Sequence, residues 1–566
     1  MTYNVLKALE RNDQLQQEKQ PWNVHWQLVH EYILQRKATF TTQETPGAFI
    51  HSDVWSSVAS KAAETASSAL IGLMWPDANS FKLEPFGEYE DNEELQDFFE
   101  DATETLQAAM DDPAAGLALA MDEFFLDAMV SGSPAIHTEE GDVSDLRFDA
   151  RNVQQFAIDE GADGYVDTIY TVMEYGLRGA AEKFGLENLS KKTQESFKSG
   201  KFGDKIKVLH VIEPRAKDDQ NPMRYASVYI EIEAKHLIKE GGYHELPTFV
   251  FRYSKRIGEK YGRSPGMRAL PDIMELNQIW EIVTIGLEKN FDPPLAVWDD
   301  GTFGGGTIDT SASAINVINV SGKLPSGRAP IEPLFTVGNF QEIAVLIERL
   351  EDTVKDHFMV DRLLDFNNET QMTARETLLR NSMRQSLLRS VVNRIITEAL
   401  TPMITRCFNI LLRKGRFGFV PGTPEAIAWQ AVNPGKEMKT LPDALVKAAG
   451  ERERMYKIRY MTPAAREQKA EEANGIMNIY QFMASMIPVD PTLKDMLNGK
   501  RSMKALGEAW SVPHDIFNSE DEMAAIQEAA MEQAQKTEEI QTGMAQAGIV
   551  KDMAGAQAAM AKAQQG

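Results

Sequence analysis

The run Asn367-Asn368-Glu369-Thr370-Gln371-Met372-Thr373-Ala374-Arg375-Glu376-Thr377-Leu378-Leu379-Arg380 opens a helical pattern that continues to about Lys414. Thr373 and Glu376 stand at capping-box spacing, so hydroxyl and carboxylate can each satisfy an orphan amide at a helix start. Apolar residues then recur at helical intervals: Leu379, Met383, Leu387, Val391, Ile395, Met403 and Leu411. At ~1.5 Å per residue, a helix over this stretch spans about 60 Å. That exceeds what a compact core needs, and Pro402 within it predicts a kink. The same stretch carries Arg375, Arg380, Arg384, Arg389, Arg394, Arg406, Arg413, Lys414 and Arg416 against only Glu376 and Glu398.

Upstream, Ser264 before Pro265 is a good helix start, and the helix it opens reads to Asn290, bounded by Asp292-Pro293-Pro294. Asn339 with Glu342 starts another. Its Phe340, Ile343, Ile347, Leu350 and Val354 follow the 3-4-3-4 spacing of helix-on-helix packing. Between the two, residues 295–335 are rich in Gly, Pro and Ser, with short apolar pieces at Leu295 to Trp298 and Ile315 to Val320. The simplest geometry is an antiparallel helical pair with a small module at its tip.

The amino-terminal part reads as helices broken by one extended piece. Asp53 is a candidate cap for a small-residue helix from Ser56 to Leu73, which Pro76 stops. Phe81 to Pro85 alternates as a short strand, Asp91 to Glu104 is an acidic helix face, and Met121 to Val130 an apolar helix. From about 145 to 260 strands dominate. Val153 to Ile158 and Tyr165 to Val172 flank Asp159-Glu160-Gly161-Ala162-Asp163-Gly164, a hairpin pattern. Val208 to Ile212, Ala226 to Ile232 and Thr248 to Tyr253 follow. After Lys414 the chain is less regular; helices resume near Leu441, Ser519 and Glu522 form another capping box, and the tail beyond about 540 is low in complexity. The fold class is α+β, mainly helical.

Composition excludes several functions. With 566 residues and 43% apolar content the chain folds, as several domains or as one elongated subunit. A net charge of −25 argues against tight static binding of nucleic acid, which needs clustered cations. The single cysteine, Cys407, rules out an intrachain disulfide and reads as a buried structural thiol in a reducing compartment. Met1 to Gln20 lacks a signal-peptide core. No apolar run approaches the ~18 residues that span a bilayer, so the product is expected to be soluble.

Catalytic and metal readings fail on their own chemistry. Gly262-Arg263-Ser264-Pro265-Gly266 matches the Gly-x-Ser-x-Gly of hydrolase elbows. The elbow's oxyanion hole needs the N–H of the residue after the serine, and Pro265 has none. Gly304-Gly305-Gly306-Thr307 and Ser321-Gly322-Lys323 do not fit a phosphate loop, since Val317 and Leu324 stand at its required positions. The acidic turn is a poor calcium loop, with Gly161 at the third position and Tyr170 at the twelfth. His25 and His30 are five apart and splay around a helix. No metal, no cofactor and no enzymatic activity are expected.

Four islands resemble portal proteins of short-tailed bacteriophages, the head-to-tail connectors. They are Ser57-Val58-Ala59-Ser60-Lys61 with Met74-Trp75-Pro76; Tyr261-Gly262-Arg263-Ser264-Pro265 with Ala269-Leu270-Pro271-Asp272-Ile273 and Leu276-Asn277; Met372 to Thr377; and Lys504-Ala505-Leu506-Gly507 with Val512-Pro513 and Ser519 to Glu522. Their order and spacing make the match specific. The resemblance implies a twelve-copy ring with a central DNA channel at one capsid vertex of the virion, assembled in the host cytoplasm. It divides the chain into an α+β wing (1–263), a stem helix (264–291), a clip (292–335), a second stem helix (336–362), a channel loop (363–371), a long kinked wing helix (372–416) and a crown or barrel (417–566).

In that scheme the channel loop is Leu363, Leu364, Asp365, Phe366, Asn367, Asn368, Glu369, Thr370 and Gln371. Thr373 and Glu376 cap the helix whose basic face begins with Arg375, Arg380, Arg384 and Arg389. Trp298, Phe303, Lys323 and Arg328 mark the clip surface that docks the packaging motor and later the tail. The implied partners are further copies of the chain, double-stranded DNA in transit, the terminase large subunit, scaffolding and major capsid proteins and a tail adaptor, with no membrane. The basic helix then either pairs with acidic segments of its own or a neighbouring subunit or touches DNA phosphates; pairing between subunits is preferred, because a channel must not grip its cargo. The competing readings are a serine hydrolase using Ser264 and a helical scaffold that forms no ring.

Overall fold

The computed structural model describes residues 3–41, 53–75, 80–299, 307–319, 329–360, 389–446, 455–461 and 473–483, with short breaks inside them and a few positions up to 507. The chain divides into two units, Met1–Pro463 and Ala464–Gly566. In the second, the described residues are a helix over 473–483 and a few helical positions up to 507.

In the first unit, α1 (Val5–Ile33) is capped by the Asn4 side chain, which accepts from the Lys7 amide. Its buried positions Ala8, Asn12, Leu15, Lys19 and Trp26 form one stripe at helical spacing. α2 (Val58–Met74) buries Ala59, Ala62, Ala63 and Ala66, and these small side chains let it lie close against α4 (Leu117–Val130). Asp53 does not cap α2. Ser57 holds the cap position without a side-chain bond, and Asp53 instead offers its carbonyl to Asn277 Nδ2 at 3.0 Å. β1 (Phe81–Pro85) forms as expected and pairs antiparallel with β13 (Tyr456–Tyr460). That strand corrects the expectation of helices alone after Leu441: its partner lies about 370 residues away, beyond the reach of local pattern. α3 (Glu93–Met110) begins at Asn92, whose side chain accepts from the Leu95 amide.

The strand-rich region is larger than the sequence suggested. β2 (Ala135–Glu140) sits between β3 (Leu146–Arg151) and β9 (Thr248–Val250) in an antiparallel sheet. β4 (Phe156–Glu160), β5 (Val166–Gly176), β6 (Lys205–Pro214), β7 (Tyr225–Glu231) and β8 (His236–Tyr243) make a five-stranded antiparallel meander in that order. The expected hairpin around the acidic turn is its first connection. Residues Val153–Gln155 are a 3-10 turn, so the strand starts later, at Phe156. Two short helices, α5 (Leu177–Phe184) and α6 (Lys191–Lys198), interrupt the meander and cover a small core of Leu177, Ala180, Phe184, Ile206, Val208 and Tyr229.

α7 (Pro265–Phe291) and α8 (Phe340–His357) are the anticipated pair. His357 near the end of α8 meets Asp272 near the start of α7, Nε2 to Oδ2 2.9 Å, so the helices run antiparallel. Ile347, Leu350 and Val354 of α8 are buried with Ile273, Leu276 and Val283 of α7. Beyond their far ends β10 (Leu295–Asp299) lies between parallel β11 (Ile315–Asn319) and antiparallel β12 (Ile331–Pro333). The long α9 is described from Arg389 to Arg413, and α10 (Pro424–Val432) follows where irregular chain was expected.

Candidate functional site: the helical pair, its tip sheet and the long helix

The Gly-x-Ser-x-Gly stretch is a packing joint. Ser264 is fully buried; its Oγ accepts from the Met267 amide at 2.9 Å and donates to the Val130 carbonyl at 2.7 Å. Both capacities of the hydroxyl are used in starting α7 and tying it to the end of α4, so the hydrolase reading is not favoured. Beside it Tyr261 packs edge-on to Trp26 at 5.2 Å, and the Arg263 guanidinium lies 5.3 Å from the Trp22 ring. One cluster thus locks α1 to the start of α7.

Of the four tip residues, Trp298 is described. It lies on β10 with its indole Nε1 3.2 Å from Glu332 Oε1. Phe303, Lys323 and Arg328 fall outside the described residues, as do Leu363 to Gln371, Thr373, Arg375, Glu376, Arg380 and Arg384. Arg389 is exposed on the first turn of the described part of α9.

Further along α9, Arg406 and Arg413, with Lys414 and Arg416 just beyond its end, have acidic partners inside the chain. Arg406, though buried, donates from Nε to the Thr138 carbonyl at 3.0 Å and pairs with Glu245, which also takes Arg413 at 2.9 Å. Arg416 holds Asp145 at 2.7 Å, with Lys414 beside it. The acidic loops around the three-stranded sheet meet this end of the helix, which local sequence cannot reveal.

The bend expected at Pro402 is a π-helical turn, Ile396–Leu400, immediately before it. A proline lacks the amide that the preceding turn would receive, and widening that turn is one way a helix absorbs the defect. Glu398 in this turn accepts from the Arg252 backbone amide at 2.9 Å and from its Nη2 at 2.7 Å. Arg252 is fully buried and also pairs with Glu160, which Lys255 approaches at 2.5 Å. A cavity of about 360 Å³ borders the turn, lined by Tyr165, Val166, Arg224, Phe249 and Pro402 among others.

By length and hydropathy Arg389–Arg413 could cross a bilayer, contrary to the sequence reading. Its apolar residues have another use: Ile395, Met403, Ile404, Phe408 and Leu411 are core residues of the main cluster. Cys407 is buried among them, its thiol pushed up to about 12 by burial, which leaves it inert as a nucleophile.

The sequence model of the bacteriophage head to tail connecting protein family matches residues 6–517. The chain belongs to that family. A probable portal protein of Bordetella phage BPP-1 is 22% identical over 553 residues, covering 94% of this chain and 92% of its own. A portal protein of Salmonella phage epsilon15 is 21% identical over 427 residues, covering 74% and 71%. A solved chain from the virion of a native gene transfer agent particle matches 66% of this chain and 89% of its own at 12% identity, with a TM-score of 0.28.

Among the described residues of the connector no group of three or more metal-ligating side chains gathers. The acidic turn is occupied by cations of the protein itself: Arg11 and Lys260 on Asp159, Arg252 and Lys255 on Glu160. Three polar features escaped the sequence reading. One is the Arg252–Glu398 pair. Another is Lys19, fully buried, whose Nζ donates to the carbonyls of Val153, Gln154 and Phe156 at 2.7, 3.1 and 2.7 Å. Burial pushes its ammonium down to about 7, but three carbonyl acceptors each require a hydrogen, which only the charged form supplies. A lysine at a core position of the α1 stripe was the available sign.

The last is a polar layer where β2 of the three-stranded β3-β2-β9 sheet meets β6 of the five-stranded meander, His137 and His210 having ring centroids 6.0 Å apart. His137 Nδ1 contacts Thr248 Oγ1 at 2.6 Å and its Nε2 contacts Glu139 at 2.7 Å. His210 stacks on Tyr229 with ring centroids 4.1 Å apart and contacts Ser227 through Nε2. Burial lowers both imidazoles, His137 to about 3, and neighbouring Arg151 adds to it.

Proposed function

We propose that the chain is a portal subunit, a non-enzymatic component of the virion that assembles into a twelve-copy ring and forms the channel for genome packaging and ejection. The observation that carries this reading is the antiparallel α7/α8 pair, ending in a small sheet on one side and followed by the long α9, in a chain of the connector family. In this assignment α7 and α8 are the stem, the β10–β12 sheet is the clip that docks terminase and later the tail adaptor, and residues 1–263 with α9 form the wing. Leu363 to Gln371 form the channel loop, and the chain beyond 417 the crown, on the capsid side where scaffolding and major capsid proteins meet the ring. Trp298, Phe303, Lys323 and Arg328 belong to the clip surface.

The chemistry of such a channel is mechanical. Twelve copies of a −25 chain sum to about −300 formal charges, and like-charge walls let polyanionic DNA slide without adhesion. The engagement of Arg406, Arg413 and Arg416 inside the chain removes cations that would otherwise grip phosphate. Native mass spectrometry with negative-stain microscopy tests the reading. With a 63.3 kDa subunit, twelve copies weigh about 760 kDa. Rings of that mass with a central hole are expected; a compact dimer that never closes into a ring, even with capsid partners, would end it.

A further inference from the structure

We propose that the lobe built by α5, α6 and the turn after them is a docking surface between subunits, and that its occupant is the acidic face of α3 on a second copy. The inference rests on the ring reading above and names one of its interfaces.

Residues 177–207 hold eight Lys and Arg against four Asp and Glu, a reversal of sign in a chain of net −25. Lys191, Lys192, Lys198, Lys201, Lys205 and Lys207 are all exposed. Lys192, Lys205 and Lys207 have loose acidic neighbours at 3.6–3.8 Å, whereas Lys191, Lys198 and Lys201 form no ion pair among the described residues. Phe202, 57% exposed, stands among these lysines and packs edge-on to Phe197 at 5.3 Å. The lobe is firmly seated. Buried Glu231 on β7 accepts from the Ser190 amide at 3.1 Å, the Ser190 hydroxyl at 2.8 Å and the Thr193 hydroxyl at 2.6 Å, which pins the start of α6 to the sheet. A surface presented this rigidly loses little entropy on docking.

The complement is on the same chain. α3 carries six acidic residues and no Lys or Arg. Glu94, Asp97, Asp101 and Glu104 face solvent at 3-4-3 spacing, a stripe about 15 Å long. Asp101 takes Lys439, while Glu94, Asp97 and Glu104 have no ion partner among the described residues. Head-to-tail rings join two different patches of one subunit, and complementary charge fixes the register of such a contact. A chain that bears a basic lobe with Lys191, Lys198 and Lys201 in no ion pair and an acidic stripe with Glu94, Asp97 and Glu104 in none, among the described residues, meets that requirement.

The test uses the full chain. The variants K191E/K198E/K201E and E94K/D97K/E104K, and their combination, are compared with wild type by native mass spectrometry at low and high salt. Wild type is expected as rings, each triple variant at subunit mass with an unchanged circular-dichroism spectrum, and the combination as rings again. Rings from either triple variant at wild-type concentration would overturn the docking while leaving the ring reading intact. A wild type that forms no ring, even with capsid partners, would overturn both. Retention of duplex DNA by wild type, lost in K191E/K198E/K201E while its rings persist, would reassign the lobe to a polyanion. Should a triple variant misfold, carbodiimide cross-linking of wild type decides. Lys198 or Lys201 joined to Asp97 or Glu104 of another copy supports the contact, and rings without such a link refute it.

Discussion

Gly132 and Gly262 meet backbone to backbone. A Cβ on Gly132 would lie 2.7 Å from the Gly262 carbonyl oxygen, and one on Gly262 would lie 2.5 Å from the Gly132 oxygen. Gly132 also has a φ of +77°, which side chains disfavour. The contact brings the turn after α4 against the start of α7, and Gly262 N–H donates to Ser133 Oγ at 2.8 Å across it.

Either Gly132→Ala or Gly262→Ala must therefore push two backbone segments apart. We expect a loss of about 3 kcal/mol or more, read as a fall in the denaturation midpoint. Ser264→Ala removes a cap and should cost about 1–2 kcal/mol, without changing hydrolysis of any ester offered. An unaltered midpoint in Gly262→Ala would show that the joint is looser than described.

Glu398→Ala leaves Arg252 buried with one carboxylate fewer. Removing one partner of a buried pair costs roughly 3–5 kcal/mol, and the π-helical turn loses its anchor to the sheet. Hydrogen exchange of the amides around Ile396–Leu400 should accelerate, with those of α1 unchanged. Equal acceleration everywhere would mean global destabilisation rather than a local anchor.

Acid should destabilise the layer holding His137 and His210. Their folded values lie below the ordinary 6.5, His137 at about 3, so between those limits the unfolded chain binds more protons. Stability contributed by the neutral imidazoles is complete above about pH 6.5 and falls as pH drops, by up to ~1.4 kcal/mol per pH unit for each histidine. His137→Gln should flatten the pH dependence of the melting temperature between pH 6 and 4. A slope identical to wild type would rule out His137 as its source.

Lys19→Met keeps the length of the stem but strands three carbonyls around Val153–Gln155. Each buried acceptor left without a donor costs about 1–3 kcal/mol, so Lys19→Met should lower stability more than Lys183→Met on the exposed lobe. Parity between the two variants in urea titrations would contradict the role assigned to Lys19.

Local pattern made much of the fold legible. Ser264 with Pro265 marks the start of α7, and the spacing of Ile347, Leu350 and Val354 marks the buried face of α8, because caps and helical periodicity act within a few residues. The strands β2, β3, β8 and β13 were not legible. β2 is buried at Ala135, Ile136, His137 and Thr138 on both faces, and β8 contains two glycines, so neither shows alternation; β13 becomes a strand by pairing with β1.

The candidate site divides in the same way. The sequence by itself determined the main helices, the helical pair around its tip module and, through four islands in the right order, the connector family. Only the tertiary structure decided the use of each charge and each small residue. The Ser264 cap also ties α7 to α4 because Val130 lies beside it, Arg406 is an internal partner because Glu245 lies within its reach, and Gly262 is a contact because Gly132 faces it. Helix starts and periodic faces are set by neighbours along the chain; these three contacts are set by residues more than a hundred positions away, which only the folded packing brings within reach.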